Sequence, residues 1–223
     1  MSEQEVSLFG TKSEMMPAHL TENTADQGLG NEDVGVEDMA LPRLNLLQPL
    51  SPQLDEVDGA KAGLLHNSIT DELYESVYLI NLKYSKEFSV FKKRDFGGGF
   101  NGSYESKAQA QSHIETLPGS PSQYDIVETA KHICLMLDSE GKPKQPVALF
   151  MKSTGLSVSR KWNSDINVRN EGAARFATVW ELSSIKKSND KGSWFIFVAE
   201  FAGWASEGLY EDAKGFYAAQ EAA

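Results

Sequence analysis

A single cysteine, Cys134, in 223 residues allows neither an internal disulfide nor a multi-thiolate metal site, and suits a reducing compartment. The four histidines, His19, His66, His113 and His132, are scattered without the spacing of a metal motif. No run approaches the ~20 apolar residues of a membrane span. The longest are strand-sized: VYLINL at 77–82, ICLML at 133–137 and WFIFVAEFAGW at 194–204, which Glu200 interrupts. The first ten residues, MSEQEVSLFG, lack the basic-then-apolar order of a secretory signal, so the cytoplasm is the expected location, with no membrane partner. Local catalytic signatures are also missing. Gly97, Gly99 and Gly102 match G-x-G-x-x-G, but Lys92-Lys93-Arg94-Asp95 precedes them where a dinucleotide fingerprint needs a buried strand. Asp95-Phe96-Gly97 has no H-R-D or V-A-I-K companion. The expectation is a protein without enzymatic activity, cofactor or metal.

Positive charge is scarce as well. Lys and Arg number 21 against 32 Asp and Glu, a net charge of -11, which at first sight disfavours a polyanionic partner. The acids are concentrated at the two ends. Residues 1–40 hold nine acids and a single base, Lys12, for a net of -8, and residues 200–223 hold five acids and Lys214, for -4. Residues 41–199 are left with +1. The first 40 residues are polar and acidic with no sustained apolar period, too little to offset the ~1–2 kcal/mol per residue of backbone ordering. They are expected to form a disordered acidic arm. Apolar residues become dense at Met39-Ala40-Leu41-Pro42-Arg43-Leu44, so one folded domain is expected over 41–223.

Within it, residues 77–82 and 86–93 read as two strands joined by a short polar link, and 95–104 as a glycine-rich loop. Residues 105–116 read as a helix that Leu117-Pro118-Gly119 ends. Strands follow at 126–138 and 146–151, then a helix over 153–169 with Ser153 or Thr154 as its cap. Residues 175–187 and 193–201 flank Asn189-Asp190-Lys191-Gly192 as a long hairpin. Residues 206–221 place Leu209, Tyr210, Ala213, Phe216 and Tyr217 at helical spacing. The sum is an α+β domain built mainly on antiparallel sheet, with two to three helices. The helix between two hairpins is compatible with an OB-like barrel or with another antiparallel sheet.

What the chain does have is bases interleaved with aromatics. Lys83, Tyr84, Lys86, Phe88, Phe91, Lys92, Lys93, Arg94, Phe96 and Phe100 fall within eighteen residues, opposed by Glu87 and Asp95 alone. Bases neutralise phosphates and exposed rings stack unpaired bases, a combination suited to single-stranded DNA. The competing reading makes Phe88 and Phe91 core and the lysines the guard of an edge strand. A second track comprises Lys152, Arg160, Lys161, Trp162, Arg175, Lys186 and Lys187. Trp162 and Trp180 are as readily core as platform.

The segments LPRLNLLQPLSPQLDE (41–56), KAGLLHNSITDELYESVYLINLKYSKEFSVFKKRDFGGGFNG (61–102) and STGLSVSRKWNSDI (153–166), with the NDKG hairpin and WFIFVAEF, resemble phage-encoded single-stranded DNA-binding proteins of replication or recombination modules. The likeness covers roughly 41–217. It implies sequence-independent binding of single-stranded DNA in phage replication, recombination or transcription, in the host cytoplasm. It also allows replication, recombination or RNA polymerase proteins, and a second copy of the chain, as partners. Proteins of this kind commonly end in an acidic recruiting peptide, whereas this sequence ends AAQEAA. The alternative is an interaction or transcription-regulating factor working through the acidic arm.

Overall fold

The computed structural model describes residues 24–26, 29–35, 38–190 and 192–222. Met1–Ala40 and Leu41–Ala223 are separate units. In the first, Thr24–Asp26 form one 3-10 turn, and the Glu32 carboxylate accepts from the Gly30 amide at 3.0 Å. The rest of the expected acidic arm lies largely outside the described residues.

The second unit is built on one long strand. β4 (Val77–Lys92) replaces the two strands read from residues 77–93. The polar Lys83-Tyr84-Ser85 stretch does not break it, because β6 (Tyr124–Leu137) pairs along nearly its whole length. The ladder slips once, between Asn81 and Lys83, so that Leu82 and Lys83 together face Ile133 in a β-bulge. β7 (Pro143–Lys152) pairs with β6. On the other side of β4 lie β8 (Thr178–Asn189) and β9 (Gly192–Trp204), the hairpin expected from the NDKG turn, of which Lys191 lies outside the described residues.

The sheet order is β7-β6-β4-β8-β9, with β5 (Phe100–Tyr104) on the far part of β4. All pairings are antiparallel and the sheet is open, not an OB-like barrel: β7 and β9 are its edges. The residues read as a glycine loop are instead a 3-10 turn, Arg94–Phe96, and β5. Between them Gly97, Gly98 and Gly99 all take positive φ (104°, 66° and 120°), a backbone that side-chain-bearing residues rarely adopt. These glycines join two strands and open no helix, which is why they cannot cradle a dinucleotide phosphate.

A smaller sheet, β1 (Leu44–Leu46), β2 (Leu65–Asn67) and β3 (Leu73–Tyr74), went unforeseen because its strands are two or three residues long. It leans on both edges of the large sheet: the Ala148 amide of β7 donates to Pro42, and the Gln48 side chain exchanges two hydrogen bonds with the Phe195 backbone of β9. Of the four α-helices among the described residues, α1 (Gln53–Glu56) is a single turn. α2 (Lys107–Thr116) starts at a complete capping box, with Ser106 accepting from Gln109 and the Gln109 side chain returning to Ser106. α3 (Gly155–Asn170) begins after Thr154 without a side-chain cap. α4 (Glu207–Ala222) is the last.

Antiparallel partners share a face, so the register sorts every side chain. One face carries Leu79, Cys134, Leu149 and Trp180, packed with Trp162 and Ile166 of α3 and Leu44 and Leu65 of the small sheet. Further along β4 the same face carries Val90, covered by Ala110 and Ile114 of α2, with Tyr124. The other face carries Ile80, Leu82, Ile133 and Leu135 beneath Ala213, Tyr210 and Phe216 of α4.

Candidate nucleic-acid interface

α4 covers the second face of the sheet around Ile80, Leu82 and Ala148, but the far part of that face is bare among the described residues. Past the bulge, Lys83, Ser85, Glu87, Ser89 and Phe91 alternate outward along ~27 Å of strand at ~3.4 Å per residue. Beside them β6 contributes Lys131, Thr129, Val127 and Asp125; β7 contributes Phe150 and Lys152, opposite Lys131 and Thr129. Ser89 and Thr129, in the middle, are buried, and Phe150 packs against the edge of the cluster beneath α4. β5 adds Phe100, 63% exposed, its ring 5.5 Å from that of Phe91. Phe150 lies between two cations: the Arg43 guanidinium carbon is 5.1 Å from its ring centroid and the Lys131 ammonium 5.8 Å. Among the described residues, five bases (Arg43, Lys83, Lys93, Lys131 and Lys152) and two acids (Glu87 and Asp125) stand here. Lys131 is 3.6 Å from Glu87 and Lys93 is 3.5 Å from Asp125. The arrangement is a strip of rings and cations on a sheet, open to a flexible polyanion with unpaired bases.

The sequence-derived candidates divide between this strip and other places. Lys83, Phe91 and Lys152 belong to it, and Lys93 reaches it while donating to Ser122 O at 2.8 Å. Arg94 and Phe96 are exposed on the turn at its far end. Lys92 points to the opposite face, in register with Tyr124. So does Lys86, 3.1 Å from Glu128, and so does Phe88, which packs on the α2 cluster. Arg160 and Lys161 are exposed on α3, across the sheet. Lys186 and Lys187 are exposed near the β8–β9 turn, past the start of β4 and hence at the other end of the sheet from Lys92. The two tracks therefore do not make one surface.

Trp162 is a correction: at 2% exposure it stacks on His132 (centroids 4.8 Å) and offers no face to a nucleobase. Arg175 and Tyr84 are also withdrawn from the strip. Arg175 is half-buried, donating from Nε to Asn81 Oδ1 (2.7 Å) and from Nη2 to Asn163 Oδ1, with its guanidinium carbon 5.6 Å from the Tyr84 ring centroid. Because Asn81 Oδ1 takes the guanidinium hydrogen, its amide nitrogen donates to His132 Nδ1 (3.0 Å), and His132 Nε2–H donates to Ser159 (2.8 Å). Burial, and then the Arg175 charge, bring the His132 pKa down to about 3, so the imidazole is neutral. Burial also raises the Cys134 thiol, which makes it unreactive.

Arg43, Lys131 and Phe150 escaped the sequence reading. They lie far apart in the chain, and only the pairing of Lys131 with Phe150 and the contact of Arg43 with that ring unite them. Alternation along KHICLML could have placed Lys131 outward, but not beside a ring.

Together these features define an α+β protein on an open antiparallel sheet, helix-covered over part of its surface, with a bare strip of cations and rings. The chain belongs to the Pam3 phage gp34-like family, whose family model, described as Pam3 phage gp34-like protein, matches residues 10–223; it is a phage protein. No curated protein and no solved structure matches it. Among the described residues no helix is long and apolar enough to cross a membrane.

Proposed function

We propose that the chain is a sequence-independent single-stranded DNA-binding protein, acting in phage DNA replication, recombination or transcription in the host cytoplasm, by binding and without catalysis. The observation that carries the reading is the strip of cations and rings, where Phe150 sits between Arg43 and Lys131, and Phe91 and Phe100 pair further along the same face. Cations on such a surface displace counterions from the phosphates, and rings accept any base by stacking, so neither element reads sequence. The shape favours a single strand: a sheet face presents no helix to enter a major groove, and a paired base has no free face to stack.

Fluorescence anisotropy with labelled oligonucleotides across a salt series tests this. Binding that weakens steeply with salt and prefers single strand to duplex is expected. Absence of binding at low salt, or a preference for duplex, would refute the proposal.

A further inference from the structure

We infer that Arg175, with Tyr84 and Asn163, forms a separate oxyanion site that takes a phosphate group, on the face of the sheet opposite the bare strip. The inference does not rest on the DNA-binding reading. Its starting point is a charge without a counter-charge. The guanidinium is drawn between α3 and β4, yet its hydrogen-bond partners, Asn81 Oδ1, Asn163 Oδ1 and the more distant His132 Nδ1 (3.4 Å), are all neutral. Among the described residues no carboxylate lies within ion-pair distance of it. His132 cannot compensate, because Asn81 and Ser159 fix it as a neutral ring.

Joining Ala174–Arg175 to β4 and α3 would need no charge. A neutral amide could make the same two bonds without the desolvation penalty that a half-buried cation carries. What a guanidinium adds is an undischarged positive charge and a planar fork whose geometry suits phosphate and carboxylate oxygens. That fork is partly free: Nη1 has no hydrogen-bond partner among the described residues and is not sealed from solvent. The same is true of the Tyr84 hydroxyl and the Asn163 amide nitrogen, on the two residues that flank the guanidinium. The fixed cation and the two residues beside it thus carry three unengaged donors, while Asn81 Oδ1 and Asn163 Oδ1 already receive hydrogen bonds. A tetrahedral oxyanion matches that donor set.

The phosphate could belong to a free ion or mononucleotide, or to a nucleic-acid backbone. In ¹H–¹⁵N spectra of the full chain, the Arg175 Nε–H resonance should shift saturably with inorganic phosphate at constant ionic strength, and chloride at the same strength should leave it in place. Titrations with phosphate, dAMP and an oligo(dT) separate the sources: a response to all three assigns a free phosphate group, and a response to the oligonucleotide alone assigns a backbone diester. No shift with any of them overturns the site. Asn163→Asp sets a carboxylate on the guanidinium without opening a cavity, and should weaken the phosphate response at least tenfold; an unchanged response in that variant also overturns it. Charge reversal of Lys131 and Lys152 on the opposite face should leave the phosphate shift intact, so failure of this site and failure of the strip are read separately.

Discussion

The two faces of the β4–β6 ladder are made by alternate residues of the same two strands, yet they serve opposite ends. On one, Tyr84, Phe88, Val90, Ala130 and His132 are covered by α3 and α2 and contribute to stability through packing. On the other, Phe91 and Lys131 lie outside the cluster beneath α4, and Phe150 of β7, half-buried, packs against its edge while presenting its ring to Arg43 and Lys131. A basic or aromatic residue therefore has no fixed meaning along this strand. Its parity decides whether it lies under the helices or joins the strip.

That division breaks if variants of one face alter the property assigned to the other. The largest effect is expected from Trp162→Ala, which empties the site between His132 and Trp180; a loss of ~3–5 kcal/mol is expected in denaturant unfolding, with DNA affinity per folded molecule unchanged. His132 gives the next. Its folded pKa is about 3 against an ordinary 6.5, so below pH 6.5 the unfolded chain takes up a proton that the folded chain refuses. Its contribution is complete above pH 6.5 and lost as pH falls toward 3, at up to ~1.4 kcal/mol per pH unit. A His132→Gln variant should show a correspondingly flatter stability profile over this window, measured by the same unfolding at successive pH values.

On the open face the roles reverse. Phe100→Ala should lower single-strand affinity by ~1–3 kcal/mol in anisotropy, while its unfolding midpoint stays close to the parent's, since the ring is mostly exposed. Reversal of Lys131 and Lys152 to Glu should also flatten the salt dependence, by ~0.7 in the log–log slope for each phosphate that is no longer neutralised. The smallest effect is expected from Lys86→Glu, which opposes Glu128 on the covered face: less than ~1 kcal/mol in stability and no change in affinity. A large affinity loss there would move the interface across the sheet.

Local chemistry made part of this legible in the sequence. The Asn189-Asp190-Lys191-Gly192 turn between two β-branched and aromatic runs announced the β8–β9 hairpin, and the run 105–116 stopped by Leu117-Pro118-Gly119 announced α2. The antiparallel α+β class followed from such features. β4 was misread because its alternation changes phase at Leu82 and its middle is polar, which mimics a link between strands. β5 was missed because Phe100–Tyr104 contains no β-branched residue; its pairing comes from β4. Of the candidate interface, Lys83, Phe91 and Lys152 were legible as types but not as a surface. Trp162 looked available because a ring beside Arg160 and Lys161 gives no sign that the helix turns it inward. The Lys131–Phe150–Arg43 cluster exists only through pairings across the sheet.

The bulge at Leu82 and Lys83 sets a reading frame for everything after it in the strand. Remove one residue there and each later side chain changes sides: Phe88 and Val90 would leave α2 for water, while Ser89 and Phe91 would turn toward the helix. Length changes in this segment should therefore be tolerated in steps of two, and a single-residue deletion should cost both the fold and the interface at once.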